Sequence, residues 1–243
     1  MQWSVTDLDR LATLVALVLV GRARHAANVL AGAMQLPVAT PAAMRAQIRR
    51  ELVLAPGADP FHRDGLLFEI ICWLVARQQA AADAVISEPH TRATQQGVDT
   101  LKVSFDAGTR RLIGATIYEY KCTTHPRTKF RDEIIPGFRK LFKGESDPQL
   151  AQIALALLER HELTDQEQAI AYDTLVNDRP LTFQAALTVE PDLFPEPNCV
   201  ALFSNYGDTG AARDARFGDT LPLTDIRSWF SDLAELAWAK INV

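Results

Sequence analysis

The chain has no apolar run long enough to span a bilayer. Its longest, "LATLVALVLV" at residues 11–20, is about half the length of a transmembrane helix. Acidic "TDLD" precedes that run where a secretory signal would be basic, so the expectation is no export signal and a cytoplasmic protein. Cysteine is scarce. Cys72, Cys122 and Cys199 are odd in number and far apart, which argues against a disulfide framework and fits a reducing compartment. Cys122 and His125 have a C-x2-H spacing, but no second Cys or His pair lies near enough in sequence for a zinc site. The same spacing gives no reason to read them as a nucleophile pair. "NYGDTG" at 205–210 lacks the Gly-Lys-Ser/Thr ending of a phosphate loop and reads as a turn. Internal repeats and low-complexity tracts are absent as well.

What is present is an ordinary globular composition over 243 residues, 48% hydrophobic and 23% charged, enough for one large domain. The net charge of −5 hides a segregation. Residues 1–144 hold 19 Lys+Arg against 13 Asp+Glu, and residues 145–243 hold 6 against 17. A polyanion-facing side and an opposite acidic side would produce that asymmetry.

Residues 6–33 have the Ala/Leu/Val content of one or two buried helices. Pro37 punctuates, and "TP" at 40–41 predicts an N-cap Thr40 with Pro41 at the first helical position of a basic helix. "APGADP" (55–60) breaks the chain before a helix over 61–82, whose Leu66, Leu67, Ile70, Ile71, Trp73 and Leu74 cover a wide face. From 97 the period becomes two. "GVDTLKVSF" (97–105), turn residues "DAGT" and "LIGATIYEYK" (112–121) read as a β-hairpin. Helices are expected over 128–143 and 148–161, with a capping box "TDQE" (164–167) opening another. Strands are expected at 181–189 and at "CVALFS" (199–204), and "PDLFPEPN" (191–198) reads as a Pro-stiffened surface connection. An amphipathic helix over 225–241 closes the chain. The reading is a single mixed α/β domain: a helical N-terminal extension (1–58) on a core (59–243).

The hairpin carries unexpected charge. Glu119 and Lys121 lie two residues apart near the end of an apolar strand and share a face, with Tyr120 opposite. If Phe105 pairs with one of residues 110–112, Asp99 falls opposite residue 116, 117 or 118. Carboxylates that close repel unless a cation sits between them, and a hard divalent ion such as Mg²⁺ is the usual solution. Lys121 beside it could orient an attacking water or stabilise charge on a pentavalent phosphate. Glu69, among Leu66, Ile70 and Trp73, would be costly unpaired, so a group on the sheet should satisfy it.

The order Glu69, then Asp99 after "GV", then "EYK" Glu119–Lys121, then a basic helix resembles the PD-(D/E)XK nucleases over residues 61–145. The leading Pro of that motif is replaced by Val98. The resemblance implies a restriction-endonuclease-like core and hydrolysis of DNA phosphodiesters. It implies catalytic Glu69, Asp99, Glu119 and Lys121, with Mg²⁺ (or Mn²⁺ in its place) bound by Asp99, Glu119 and the carbonyl of Tyr120.

Residues 125–143 carry Arg127, Lys129, Arg131, Arg139, Lys140 and Lys143 against Asp132 and Glu133, a surface suited to DNA phosphates. Arg45, Arg49 and Arg50 form a second basic stripe. The acidic remainder would repel DNA, so a protein partner is expected there: a larger helicase or ATPase, or a second copy of the chain. The layout resembles the small nuclease subunits of helicase–nuclease phage-defence systems such as Hachiman. A repair or restriction nuclease, or an inactive binding subunit of the same fold, are the other readings.

Overall fold

The computed structural model describes residues 1–32, 40–81, 84–91, 98–145, 147–159, 163–192 and 199–241. Pro37, Gly97, the expected helix ends at 82 and 160–161, and most of the 191–198 connection lie outside them.

The architecture is mixed α/β. Strands β1 (Val85–Ile86), β2 (Thr100–Phe105), β3 (Leu112–Lys121), β4 (Leu181–Val189) and β5 (Arg216–Pro222) lie side by side in chain order. The β1–β2 and β2–β3 pairs are antiparallel, and β3–β4 and β4–β5 are parallel. Alternation along β3 and β4 divides the core between the two faces. Tyr118, Tyr120 and Ala186 join α1 (Leu8–Leu19), α2 (Ala23–Leu30), α4 (Phe61–Gln79) and the last helix on one side. Ala115, Ile117, Phe183, Ala185 and Leu187 pack on the other against Phe130, Ile134, Phe138, Leu158 and Leu175. The N-terminal helices are therefore part of the layer that covers one sheet face, with Leu14, Val15, Val18 and Leu19 all buried. Between them, α3 (Ala42–Leu52) starts one residue later than expected, with Pro41 itself in the cap position.

After β3 the chain enters α5 (Pro126–Lys129), a π-helical turn over Phe130–Ile134 and α6 (Ile135–Phe142). The amide of Ile135 donates to the carbonyl of Phe130, five residues back. Pro136 explains this widening, because a proline ring clashes with the carbonyl one α-turn earlier. Then come α7 (Asp147–Glu159) and α8 (Asp165–Asp173), the latter opened by the expected capping box of Thr164 and Glu167.

The expected strand at 199–204 is a correction. Residues Cys199–Leu202 form a short helix, α9, and the outer parallel strand is β5, "RFGDTLP". Its sequence hides it. Gly218 and Asp219 look like turn residues, yet Asp219 is buried and accepts from the Gln184 side chain, and contact with β4 overrides propensity. Tyr206 locks the preceding segment down by donating to the carbonyls of Phe183 (3.0 Å) and Phe217 (3.1 Å). The chain ends in α10 (Ile226–Ile241).

Candidate active site

The hairpin register differs from expectation by one step. Phe105 pairs with Leu112 as anticipated, but an irregularity follows between Ser104 and Phe105, so Ser104 faces Gly114 and Thr100 faces Tyr118. The residue passed over is Ile113, which is 61% exposed. The extra residue shifts the ladder, and carried one step past Thr100 it sets Asp99 opposite Glu119. Bulges have no signature in this stretch that composition would reveal.

Asp99 is fastened to the end of β3. Its Oδ2 accepts the Tyr120 amide at 2.7 Å. Burial first, then the charges of Glu119 and Glu69, push its carboxyl well above the ordinary carboxylate range. Lys121 and the Tyr120 amide oppose that shift without cancelling it. A carboxylate in that position is short of positive charge.

Glu119 and Lys121 do share a face and form an ion pair, Nζ to Oε1 at 2.8 Å. Burial acts to lower the Lys121 pKa. The Glu119 carboxylate, by charge and by hydrogen bond, with Asp99 and Glu133 further off, outweighs it and holds the ammonium above the usual lysine value. Lys121 is therefore a cation throughout the neutral range, fit to stabilise negative charge and unable to take up a proton.

Glu69 approaches from α4, on the sheet face opposite to Ile117, and its partner is not on the sheet. It accepts the backbone amide of His90 at 2.9 Å, and its Oε1 lies 3.0 Å from the ring Nδ1. Both side chains are 12% exposed. The hydrogen bond to Glu69 raises the His90 pKa against the effect of burial. The residues between β1 and His90 are held in place. Ser87 exchanges two hydrogen bonds with the Leu101 backbone, its amide donating (2.8 Å) and its hydroxyl accepting (2.9 Å), and its carbonyl accepts the Trp73 indole at 2.8 Å. Ligand atoms of Glu69, His90 and Asp99 all lie within 4.8 Å of one another. Among the described residues, no Lys or Arg pairs with Glu69 or Asp99.

The site thus has two linked parts. Glu69, His90 and Asp99 form one cluster, and Glu119 with Lys121 forms the other, coupled to it through Asp99. Glu119 is committed to Lys121 instead of joining the cluster. A cleft of about 150 Å³ opens on Glu69, Asp99 and Lys121, lined also by Phe61, His62, Tyr120 and Lys129.

The cations read as DNA-binding separate into two kinds. Arg127 donates to the carbonyls of Leu202 (3.1 Å) and Ser204 (2.7 Å) and to the Asn205 side chain (3.1 Å). Arg139 donates to the Asp208 carbonyl at 2.7 Å. These two tie the basic helix to the segment before β5. Lys129 pairs with Glu133 and lines the cleft, and Arg131 pairs with its neighbour Asp132. Lys140 and Lys143 are exposed, as are Arg49 and Arg50 on α3. Arg127→Ala is expected to destabilise the fold by about 0.5–1.5 kcal/mol, since it removes the hydrogen bonds that join the basic helix to this segment. Lys140→Ala, at an exposed position, should leave the denaturant midpoint unchanged.

No family model, curated protein or solved structure matches the chain.

Proposed function

We propose that the protein is a divalent-metal-dependent nuclease acting on DNA, built on a PD-(D/E)XK-like core. The observation that carries this reading is the position of Asp99. It is a half-buried carboxylate pinned to the end of β3, with Glu69 on one side and Glu119–Lys121 on the other. Three donors within 4.8 Å, two of them carboxylates, fit one small dication. When bound, such an ion polarises a phosphoryl oxygen and lowers the pKa of a coordinated water.

In this reading Asp99 and Glu69 hold the ion, and the Tyr120 amide orients Asp99. Lys121 stays protonated, positions the attacking water and stabilises charge growing on the phosphate. Glu119 aims Lys121. Lys129 in the cleft wall and exposed Lys140 take flanking phosphates, while Arg127 and Arg139 brace the helix that presents them. The acidic C-terminal portion faces a protein: a DNA-translocating helicase or ATPase that restrains the nuclease, as in phage defence, or a second copy of this chain.

The commitment of Glu119 to Lys121 favours a second reading, a nuclease-fold subunit that binds metal and DNA without cutting. Plasmid cleavage separates the two. Cleavage that requires divalent metal and is lost in Glu119→Gln supports the enzyme, and metal binding without cleavage supports the subunit. Glu69→Gln should lower turnover more than it lowers the melting temperature. A variant that melts early yet cuts at the normal rate would remove Glu69 from the site.

A further inference from the structure

We infer that His90 is a direct ligand of the metal held by Glu69 and Asp99, and that it turns the site towards Mn²⁺ and away from Mg²⁺. This deepens the nuclease reading and rests on it for the identity of the site. The argument begins with where the ring is held. Its own backbone amide and its Nδ1 both engage Glu69. The preceding Pro89 is buried, and Ser87 is bonded to both Leu101 and Trp73. The imidazole is thus fixed at the carboxylate cluster before any ion arrives, and little ordering entropy opposes its use as a ligand.

Donor chemistry supplies the second step. Mg²⁺ demands oxygen ligands in near-ideal octahedral geometry and keeps much of its water, so an imidazole at the site offers it little. A first-row transition dication gains more from an imidazole than Mg²⁺ does, Mn²⁺ least within that series and the later ions progressively more. Mn²⁺ also accepts carboxylate oxygen readily, which suits a set of two carboxylates and one imidazole. Glu69 has no described cationic partner other than His90, and Asp99 has none. An ion held by the three would offset both negative charges.

The test is pulsed electron paramagnetic resonance on Mn²⁺ bound to the whole protein, with calorimetric titration of Mn²⁺ and Mg²⁺ alongside. Wild type should show modulation from a coordinated ¹⁴N that disappears in His90→Gln and persists in His62→Gln, a histidine that lines the cleft. Mn²⁺ affinity should fall at least ~10-fold in His90→Gln, the lower end of what even an outer partner of a metal ligand contributes. Mg²⁺ affinity should change much less. Should His90→Gln unfold, the nitrogen signal of wild type, compared with His62→Gln, still decides whether a ring coordinates. Bound Mn²⁺ without nitrogen coupling, or equal losses for both ions, would overturn the inference while leaving the nuclease reading in place. A His90-dependent Mn²⁺ signal in a protein that never cuts DNA would do the reverse.

Discussion

Replacing Lys121 by alanine should lower the rate of DNA cleavage by at least ~10²-fold while metal affinity stays within a few-fold of wild type. That scale is what removing one preorganised electrostatic group at a reacting centre costs. Among the described residues Lys121 makes no hydrogen bond or ion pair to Glu69, His90 or Asp99 and acts on Asp99 through its charge alone, so the cluster should still fill. Its ammonium is held above the ordinary lysine pKa chiefly by Glu119, against the pull of burial, so it carries full charge at neutral pH. Wild-type cleavage should therefore show no alkaline decline from this group until pH passes the usual lysine range. Single-turnover rates at saturating metal, with calorimetry on the same preparations, check both halves. Unchanged turnover in Lys121→Ala would remove Lys121 from the chemistry. A parallel collapse of metal affinity would make it structural.

Asp99→Asn should abolish metal binding and, without metal, make the protein more stable at neutral pH. The asparagine can still accept the Tyr120 amide, while the titratable carboxyl facing Glu119 and Glu69 is gone. The sign follows from linkage. The folded carboxyl keeps its proton to a higher pH than the unfolded one, so the folded state holds more protons above the ordinary carboxylate range. Stability therefore falls as pH rises through that window, until the raised pKa is passed. In chelator, wild type should lose more melting temperature than Asp99→Asn between pH 5 and pH 8. Added metal at pH 8 should raise the wild-type melting temperature and leave the variant unmoved. A variant less stable than wild type at pH 8 in chelator, or one stabilised equally by metal, would contradict this account of the site.

Much of that site could be read in the sequence because strand periodicity is strict. Glu119 and Lys121, two apart, had to share a face, and Asp99 had to fall near them once the hairpin was recognised. The register missed by one residue, because a bulge at Ser104/Phe105 depends on packing. His90 escaped entirely. It lies in "SEPHTR", which has no periodicity, and only the pairing of Ser87 with Leu101 brings it beside Glu69. The same limit misplaced the outer strand. "CVALFS" has strand composition but begins with the short helix Cys199–Leu202, while polar "RFGDTLP" pairs with β4. Charge was legible as a sum and not by role: nothing in the spacing of Arg127 or Arg139 marks them as braces to the 202–208 segment.

The most direct test of the nuclease assignment is a cleavage time course on end-labelled DNA. Protein stripped with EDTA is assayed before and after Mn²⁺ or Mg²⁺ is returned, with Asp99→Asn in parallel. The account predicts no cutting in chelator, recovery on adding metal, and no recovery in the variant. Cutting that persists in EDTA, or that returns equally in Asp99→Asn, would contradict it.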